Sequence, residues 1–308
     1  MIVDTDAGVD DVQAIMMALN HADTEIAAIT CVTGNTHVDW VTRNVFAMLD
    51  VVGAGPIPVF RGAEQPLLPG TWTGEARVHG EDGLGNYTKR QPTARQLQDE
   101  PAALALVRMA NEAPGELTLV TLGPLTNVAL ACRLDPEFPH KIARFVFMGG
   151  AELAMGNTNN LSAEFNVYCD PEAAAVVLDA FPEAEMLSWE ATVRHPFTWE
   201  QYETLAAGTS RAAEFFRDTT GSAVQFLREQ LHAPGFYIPD PLAMAAALEP
   251  SLVEESSFHY VAVETRGALT RGQTVVDHFG ASGRSPNVHI IKAIDIATIY
   301  AMFEQMLS

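Results

Sequence analysis

The chain has 308 residues, 48% of them hydrophobic and 19% charged, which is enough for one large α/β domain or two smaller ones. Its formal net charge of −21 disfavours binding to nucleic acid or to an anionic membrane surface. No apolar run is as long as a membrane span, and a strand pattern begins at residue 1, so we expect a cytoplasmic protein without a signal peptide. Three widely spaced cysteines, Cys31, Cys132 and Cys169, fit buried thiols in a reducing compartment better than disulfides or a zinc site.

The first stretch of the chain predicts a buried strand, an acid-rich turn and a helix. Residues 1–3 are apolar with β-branched members, and apolar residues recur at helical spacing from Val12 to Leu19. Between the two patterns lie Gly8 and four acidic residues: Asp4, Asp6, Asp10 and Asp11. A side chain at the carboxyl end of a strand, such as that of Asp6, points into the crevice where open α/β sheets bind ligands.

The number of carboxylates in this turn indicates a metal site. A helix start accommodates one or two negative side chains, which suit its dipole and its free N–H groups. More carboxylates repel one another unless a cation lies among them, and no Lys or Arg occurs before Arg43. A hard divalent cation with oxygen ligands, Ca²⁺ or Mg²⁺, would supply the missing charge. The plainer alternative is an acid-rich helix cap whose side chains are solvated.

The next elements predict a parallel sheet. Residues 25–33 form a second β-rich run, which is followed by Asn35. A helix capped by Thr36 or Asp39 comes next, and residues 58–60 form a short third strand. This β-α-β-α-β order is typical of a doubly wound, Rossmann-like sheet with helices on both faces.

Residues 61–93 interrupt this alternation with a long segment rich in Gly, Pro, Thr and charged residues. A loop of this length in a compact domain is usually functional or disordered. Residues 79–85 (His-Gly-Glu-Asp-Gly-Leu-Gly) contain glycines that could serve as hinges of an active-site lid. We expect this lid to span residues 71–90 and to be mobile without ligand. A phosphate-binding loop is disfavoured because no Lys-Ser/Thr pair follows the glycines. An ordinary mobile surface loop is the alternative.

The remaining elements continue the alternation and end in a β-rich region. They are predicted as a helix at 101–111, strands at 117–122 and 144–148, a helix opened by Asp170, a strand at 185–189, helices at 199–207, 210–231 and 242–248, a hairpin of strands at 258–264 and 274–279, a strand at 288–291 and a helix capped by Asp295. No repeat or linker is visible, so we expect a single domain over residues 1–308. The predicted fold is an open, mostly parallel, doubly wound α/β sheet with a small β-rich addition near the C-terminus.

Two sets of motifs resemble the inosine–uridine-preferring nucleoside hydrolase family. Residues 4–11, Asp-Thr-Asp-Ala-Gly-Val-Asp-Asp, are similar to its amino-terminal signature, although the family usually has Pro at the position of Ala7. Further motifs follow in the family's order: Met-Gly-Gly at 148–150, Gly-Asn at 156–157, Ala-Glu-Phe-Asn at 163–166 and Asp-Pro-Glu-Ala-Ala at 170–174. Residues 79–85 are similar to the segment that covers the family's substrate.

The resemblance implies an enzyme that hydrolyses the N-glycosidic bond of ribonucleosides to free base and ribose. It implies a Ca²⁺ held by Asp6, Asp11, Asp240 and the main-chain carbonyl of Leu122. The bound ion would acidify a water molecule, and Asp10 is placed to take its proton as general base. The resulting hydroxide would attack C1′, through a transition state that resembles an oxocarbenium ion.

The same resemblance assigns the substrate contacts. Asn35, Glu164 and Asn166 match the residues that grip the ribose, and Met148 and Asn157, or a neighbour of Asn157, are second contacts. Amide side chains suit this task because each offers both donors and acceptors to sugar hydroxyls. We expect a small-molecule nucleoside as partner, no nucleic acid or membrane, and a homodimer or homotetramer.

One departure from the family concerns protonation of the leaving base. In inosine–uridine-preferring members a His directly precedes the Asp-Pro pair and supplies the proton, whereas Pro239 precedes Asp240 here. His79, His232 and Tyr237 are candidates to replace it, and His79 and Tyr237 are also expected to contact the substrate. Alternatively, the base leaves without an acid, stacked on an aromatic ring. The nucleobase preference therefore stays open.

Two other classes of protein share some of these features. The Asp4-x-Asp6 pair resembles Mg²⁺-dependent phosphatases of the haloacid dehalogenase type, which also need a Lys that anchors the phosphate. The lysines Lys89, Lys141 and Lys292 do not stand at an obvious strand end. A non-catalytic Ca²⁺-dependent ribose- or nucleoside-binding protein would keep the metal and sugar residues without a general base. Release of free base, reducing sugar or phosphate separates the three classes.

Overall fold

The computed structural model of this chain describes residues 1–69 and 77–308. The strands are β1 Ile2–Thr5, β2 Ala28–Cys31, β3 Val59–Arg61, β4 Leu117–Thr121, β5 Ile142–Met148, β6 Ala184–Leu187, β7 Phe197–Thr198, β8 Gly235–Phe236, β9 Val253–Val263, β10 Thr274–Asp277 and β11 Val288–Ile294. The helices are α1 Val9–Asn20, α2 Val38–Val51, α3 Ala102–Glu112, α4 Thr126–Leu134, α5 Phe138–Lys141, α6 Phe165–Cys169, α7 Pro171–Ala180, α8 Trp189–Arg194, α9 Trp199–Ala206, α10 Arg211–Gln225, α11 Pro239–Leu248 and α12 Ile296–Met306. Turns of 3₁₀ helix lie at Arg77–His79 and Pro250–Leu252, and a π-helical turn lies at Phe226–Gln230.

Nine strands form one sheet in the order β10-β9-β11-β6-β5-β4-β1-β2-β3. Neighbours from β11 to β3 are parallel, whereas β9 runs antiparallel to both β11 and β10. The predicted doubly wound α/β fold is confirmed, and its C-terminal β-rich region forms one edge of the main sheet. The short antiparallel pair of β7 and β8 is an addition to the predicted fold.

The strand order reverses between β1 and β4, which places a crevice at their carboxyl ends. The chain runs outward from β1 through β2 to β3 and returns to β4 on the other side of β1. β1 and β4 are direct neighbours, with Ile2 opposite Leu119 and Asp4 opposite Thr121. Ligands of open α/β sheets bind at such a switch point. The residues that follow β1 and β4 are therefore positioned for a functional site.

The central strands are buried on both faces. Successive residues of a strand point to opposite sides of a sheet, and in β1 Ile2 and Val3 are both fully buried in different apolar clusters. Leu119 and Val120 of β4 divide between the same two clusters. This two-sided burial accounts for the continuous apolar runs from which the strands were predicted.

Two helix starts differ from the prediction. His37, not Thr36 or Asp39, is the N-cap of α2, and its Nδ1 accepts a hydrogen bond from the Asp39 N–H at 3.3 Å. α11 begins at Pro239 rather than at residue 242, because proline is favoured in the first turn of a helix. This earlier start places the residue after Pro239 inside the first helical turn.

Other helices agree with the prediction or extend it. The predicted caps are confirmed, since Asp170 accepts from the Ala173 N–H at 3.1 Å and Asp295 accepts from the Ala297 N–H at 3.0 Å. The helix predicted over 210–231 divides into α10 and the π-helical turn. Short helices α5, α6 and α8 are additions to the prediction. In the part of the chain that the structure describes, no helix is long and apolar enough to cross a membrane.

Residues 70–76 of the predicted lid lie outside the described residues. Its described part is closely packed: Asp82 and Leu84 are buried, and the Ser222 hydroxyl of α10 donates to the Val78 carbonyl at 3.0 Å. The Gly85 N–H donates to the His79 carbonyl at 2.7 Å. The described part of the predicted lid thus packs against α10, and its mobility without ligand stays a prediction.

Candidate active site

Acidic residues from distant parts of the chain meet at the carboxyl end of β1. Asp6 lies in the turn after β1, and the first turn of α1 carries Asp10 and Asp11. Asp240 joins them from the first turn of α11, which packs against α1. One carboxylate oxygen from each of Asp10, Asp11 and Asp240 lies within 4.8 Å of the others. Asp6 stands beside this group of three and interacts with Asp11.

Asp11 is held firmly, because both of its carboxylate oxygens accept hydrogen bonds. The Thr5 hydroxyl donates to Oδ1 at 2.5 Å, and the Gly8 N–H donates to Oδ2 at 2.8 Å. The Asn35 side-chain amide donates to Oδ2 of Asp11 at 3.3 Å, and its backbone N–H donates to Oδ2 of Asp6 at 2.6 Å. Asn35, which follows β2, therefore orients two acidic side chains of the site.

The backbone of the turn is unusual at the position where the sequence departs from the family. Ala7 has a φ of 41°, in the left-handed region that residues other than glycine seldom adopt. Proline, whose ring fixes φ near about −65°, cannot adopt this conformation. Next to it, a Cβ added at Gly8 would lie 2.8 Å from Nδ1 of His79, so only glycine fits there.

The buried carboxylates lack a compensating charge. Asp6 and Asp11 are fully buried, and burial raises the pKa of Asp6 and of Asp240 well above the usual range. Burial also raises the pKa of Asp10 to about 6. Within the described residues, the Oδ1 atoms of Asp6 and Asp10 are buried without a hydrogen-bond partner. Orphaned carboxylate oxygens in an all-oxygen set fit a hard divalent cation, so the residues of this site suit a metal.

The carbonyl of Leu122, directly after β4, faces the same crevice. The Asn166 side-chain amide donates to the Leu122 carbonyl at 2.8 Å and to the Met148 carbonyl at 3.1 Å. These bonds tie α6 to the ends of β4 and β5. Because a carbonyl oxygen has two lone pairs, the Leu122 oxygen can accept one further partner.

Glu164 is a buried carboxylate that caps α6. Its Oε1 accepts from the Asn166 N–H at 2.9 Å, and its Oε2 accepts from the Gly150 N–H at 2.9 Å and the Val167 N–H at 3.3 Å. Burial nevertheless raises its pKa to about 7. The backbone bonds hold this carboxylate in one orientation at the crevice.

A cavity of about 650 Å³ lies above these groups. The predicted site residues that line it are Asp10, Asn35, His79, Leu122, Met148, Asn157, Glu164, Asn166, Tyr237 and Asp240. Asp6 and Asp11 are fully buried beside it and do not line it. The structure thus brings every predicted metal, base and sugar residue into one site or its immediate surroundings.

A second part of the cavity wall is apolar and was not predicted. Trp189 of α8, Phe226 and Leu227 of the π-helical turn, and Phe236 of β8 contribute to it. The rings of Trp189 and Tyr237 meet edge to face with their centroids 5.8 Å apart. Only the aromatic content of the segment around Tyr237 signals this wall in the sequence. An aromatic wall opposite polar strand ends suits a ligand with one polar and one planar apolar part.

The three candidates for the missing acid occupy different environments. Nδ1 of His79 accepts from the Val9 N–H at 3.0 Å and lies 3.6 Å from Oδ1 of Asp10, and burial lowers the pKa of His79 to about 4. Tyr237 lines the cavity, and burial raises its pKa. His232 is exposed, donates to the Arg228 carbonyl at 3.1 Å and does not line the cavity.

The fold and the site define an α/β protein whose cavity combines an acid-rich crevice with an aromatic wall. A sequence model of the family described as inosine-uridine preferring nucleoside hydrolase matches residues 1–301. The chain is 34% identical to "Probable uridine nucleosidase 1" of Oryza sativa subsp. japonica, over 100% of this chain and 96% of the relative. It is 34% identical to "Pyrimidine-specific ribonucleoside hydrolase RihA" of Citrobacter koseri, over 96% of this chain and 93% of the relative.

A solved structure, "Inosine-Guanosine Nucleoside Hydrolase (IG-NH)", is similar with a TM-score of 0.92 and 35% identity, covering 99% of this chain and 98% of that one. The chain therefore belongs to the inosine–uridine-preferring nucleoside hydrolase family, whose members act on the N-glycosyl bonds of ribonucleosides. The predicted family and enzyme class are confirmed.

The phosphatase and the non-catalytic binding protein are not favoured. The lysines that a phosphatase would need are engaged elsewhere: Lys89 pairs with Asp218 at 2.6 Å, Lys141 with Asp135 at 2.6 Å and Lys292 with Glu152 at 2.7 Å. None of the three lines the cavity of the described chain. Among the described side chains that line the cavity there is no Lys or Arg that could anchor a phosphate.

Proposed function

We propose that the protein hydrolyses ribonucleosides to free base and ribose with a bound Ca²⁺ and with Asp10 as general base. The observation that carries the proposal is the position of Asp10. It belongs to the group of three carboxylates, yet it also lines the cavity and has a free, buried Oδ1. It can therefore reach a water molecule held between the acidic group and a ligand.

Asp6, Asp11, Asp240 and the Leu122 carbonyl would hold the cation. Support comes from the all-oxygen donor set and from the orphaned Oδ1 of Asp6. Ca²⁺ takes roughly six to eight oxygens, so four ligands from the chain leave positions for water and sugar hydroxyls. When bound, such an ion acidifies water and aligns hydroxyl groups.

Asp10 would take the proton of the attacking water. Burial raises the pKa of Asp10, and a bound cation beside it would lower that pKa again, so the carboxylate is deprotonated near neutral pH and free to accept a proton. The Asn35 and Thr5 hydrogen bonds that hold Asp11 also fix the turn from which Asp10 projects. A base held in one position loses less freedom in the transition state.

The sugar would lie over the polar strand ends. Asn35, Asn157, Glu164 and Asn166 offer donors and acceptors to ribose hydroxyls, with Met148 beside them. Positive charge develops on the ribose as the glycosidic bond breaks. Surrounding carboxylates stabilise that charge in a buried cavity better than in water.

The base would lie against the aromatic wall, where Tyr237 is the best-placed acid. Its raised pKa keeps the phenol protonated, and its ring packs on Trp189. His79 is poorly suited, because its Nδ1 already accepts from the Val9 N–H and burial favours the neutral ring. We therefore assign the O–H of Tyr237 to the leaving base and a contact role to His79.

The chain is further proposed to fold as one domain over residues 1–308 and to work as a homodimer or homotetramer in the cytoplasm. One sheet contains both the N-terminal β1 and the C-terminal β11, which supports a single folding unit. The proposed homo-oligomer rests on the family resemblance, and the proposed cytoplasmic location rests on the composition of the sequence. Light scattering of the purified protein measures the assembly.

Chromatography of the products tests the function. Ribonucleosides incubated with Ca²⁺-loaded protein should yield equal amounts of free base and reducing sugar, and a nucleotide should yield no phosphate. Binding of nucleosides without turnover would overturn the proposal. A purine and a pyrimidine nucleoside run side by side establish the base preference.

A further inference from the structure

Asn44 of α2 is fully buried and joins two segments of the site, although it does not line the cavity. Its Nδ2 donates to the Ala7 carbonyl at 3.2 Å and to the Asp82 carbonyl at 2.8 Å. Its Oδ1 accepts from Nη2 of Arg90 at 2.5 Å. Both ends of the amide are thus engaged, as a buried polar group requires. We name residues 6–11 the acid loop and residues 79–86 the glycine segment.

The glycine segment is a compact turn held together by Asp82. Oδ1 of Asp82 accepts from the N–H groups of Leu84 and Asn86, both at 2.8 Å. Oδ2 of Asp82 pairs with Nη1 of Arg90 at 2.7 Å. Arg90 therefore braces both Asp82 and Asn44, and the position of Asp82 sets the position of the segment that carries His79.

The acid loop and the glycine segment are attached at two points. One is the hydrogen bond from the Val9 N–H to His79, and the other is the bridge through Asn44 between Ala7 and Asp82. Because these two attachments are separated, together they fix the orientation of the acid loop relative to the glycine segment. The second attachment acts on Ala7, whose positive φ must be held by its surroundings.

We propose that Asn44 is a positioning residue for the hydrolytic reaction: it sets the orientation of His79 and of the acid loop that carries Asp10. This inference rests on the proposed role of Asp10 as general base. Asn44 touches neither the cavity nor a carboxylate of the acidic group, so its effect passes through Ala7 and Asp82. Misplacement of a reacting group by about 1 Å can lower a rate by about a hundredfold.

Kinetics of three variants test the proposal. Asn44→Ala removes the bridge, and Arg90→Lys keeps the positive charge but removes the planar fork that holds Asn44 and Asp82 together. We expect kcat for a nucleoside to fall by about tenfold or more in Asn44→Ala and by a smaller factor in Arg90→Lys. KM should change less than about threefold in both, because the sugar contacts are intact.

Asn287→Ala is the matched control. Asn287 also makes three side-chain hydrogen bonds, to the Leu178 and Val261 carbonyls and from the Val261 N–H, far from the cavity. Its replacement should lower the melting temperature as Asn44→Ala does but leave kcat within about twofold. An equal kcat in the two alanine variants would overturn the proposal.

The ring nitrogens of His79 provide a readout independent of turnover. Nitrogen-15 spectra should show an unprotonated Nδ1 and a protonated Nε2 in the wild type, assigned with a His79→Gln variant. In Asn44→Ala the ring should show a mixture of tautomers. Arg90→Lys should show the same mixture to a lesser extent, and this variant decides the question if Asn44→Ala does not fold. Unchanged His79 signals would overturn the proposal. Full turnover in Asp10→Asn would overturn the proposed role of Asp10 as general base. It would not decide the role of Asn44, which the His79 spectrum tests separately.

Discussion

The backbone N–H of Val9 donates a hydrogen bond to Nδ1 of His79 at 3.0 Å, so the proton of the imidazole must lie on Nε2. Burial, which lowers the pKa of His79 to about 4, keeps the ring neutral at pH 7. The 3.6 Å approach of His79 to Asp10 is therefore not an ion pair, and the charge of Asp10 stays uncompensated by the chain. This relationship separates the two proposed roles: Asp10 would take protons, and His79 would offer one hydrogen bond of fixed direction.

Asp10→Asn should abolish most turnover and keep ligand affinity. The amide preserves the shape of the side chain but cannot accept the proton of water, so kcat should fall by about two to four powers of ten. KM for a nucleoside should change little, because the sugar contacts are untouched. Steady-state kinetics measure both values. Asp39→Asn, at an exposed position of α2, serves as the control, and a loss that lies wholly in KM would give Asp10 a binding role.

Asp11→Ala should lose the cation and the activity together. Both oxygens of Asp11 are oriented by hydrogen bonds from Thr5, Gly8 and Asn35, so no neighbour can replace this ligand without moving. Titration calorimetry with Ca²⁺ measures the affinity, and Asp23→Ala, at an exposed position, should bind as the wild type does. Full activity in a chelated, metal-free sample would contradict the metal assignment.

Stability should fall as the pH rises when no cation is bound. Burial raises the pKa of Glu164 from 4.5 to about 7, and that of Asp4 to about 7 as well. In this window the folded chain retains protons on Asp4 and Glu164 that the unfolded chain has lost, so the stabilising contribution of these two groups is fully present below about pH 4 and is lost as the pH rises to about 7. The melting temperature of chelator-treated protein should follow this course, with a shallower slope in Glu164→Gln. A profile that rises with pH would refute the assigned shifts.

Tyr237→Phe should affect natural nucleosides more than activated substrates. The variant keeps the ring that packs on Trp189 but removes the O–H, and loss of a general acid lowers the rate by about a hundredfold or more. A nitrophenyl riboside, whose leaving group needs no proton, should be cleaved almost as fast as by the wild type. Pro239→His, which restores an acid next to Asp240, should speed natural nucleosides relative to that riboside. If natural and activated substrates react equally fast and Tyr237→Phe leaves their ratio unchanged, the leaving-group account is wrong.

Much of the fold and the polar part of the site could be predicted because their signals are local. Short β-branched runs alternating with amphipathic helices determine a parallel doubly wound sheet, since each pattern depends only on neighbours in the chain. Parallel strands end at one edge of a sheet, so the strand-end residues Asp6, Asn35 and Leu122 are expected to share one crevice, whereas Met148 entered the predicted site through the family resemblance. The sequence by itself thus determined the fold class, the family and the acidic group.

Tertiary structure alone decided the groups that depend on contacts between distant segments. The aromatic wall requires Trp189 and Tyr237 to meet, and nothing near either residue signals the other. The tautomer of His79 depends on the N–H of Val9, 70 positions earlier in the chain. Asn44 looks like any polar residue of a helix until Ala7 and Asp82 are packed on either side of it. Hydrophobic periodicity is a property of a segment, whereas a hydrogen bond between segments exists only after packing has brought both partners together.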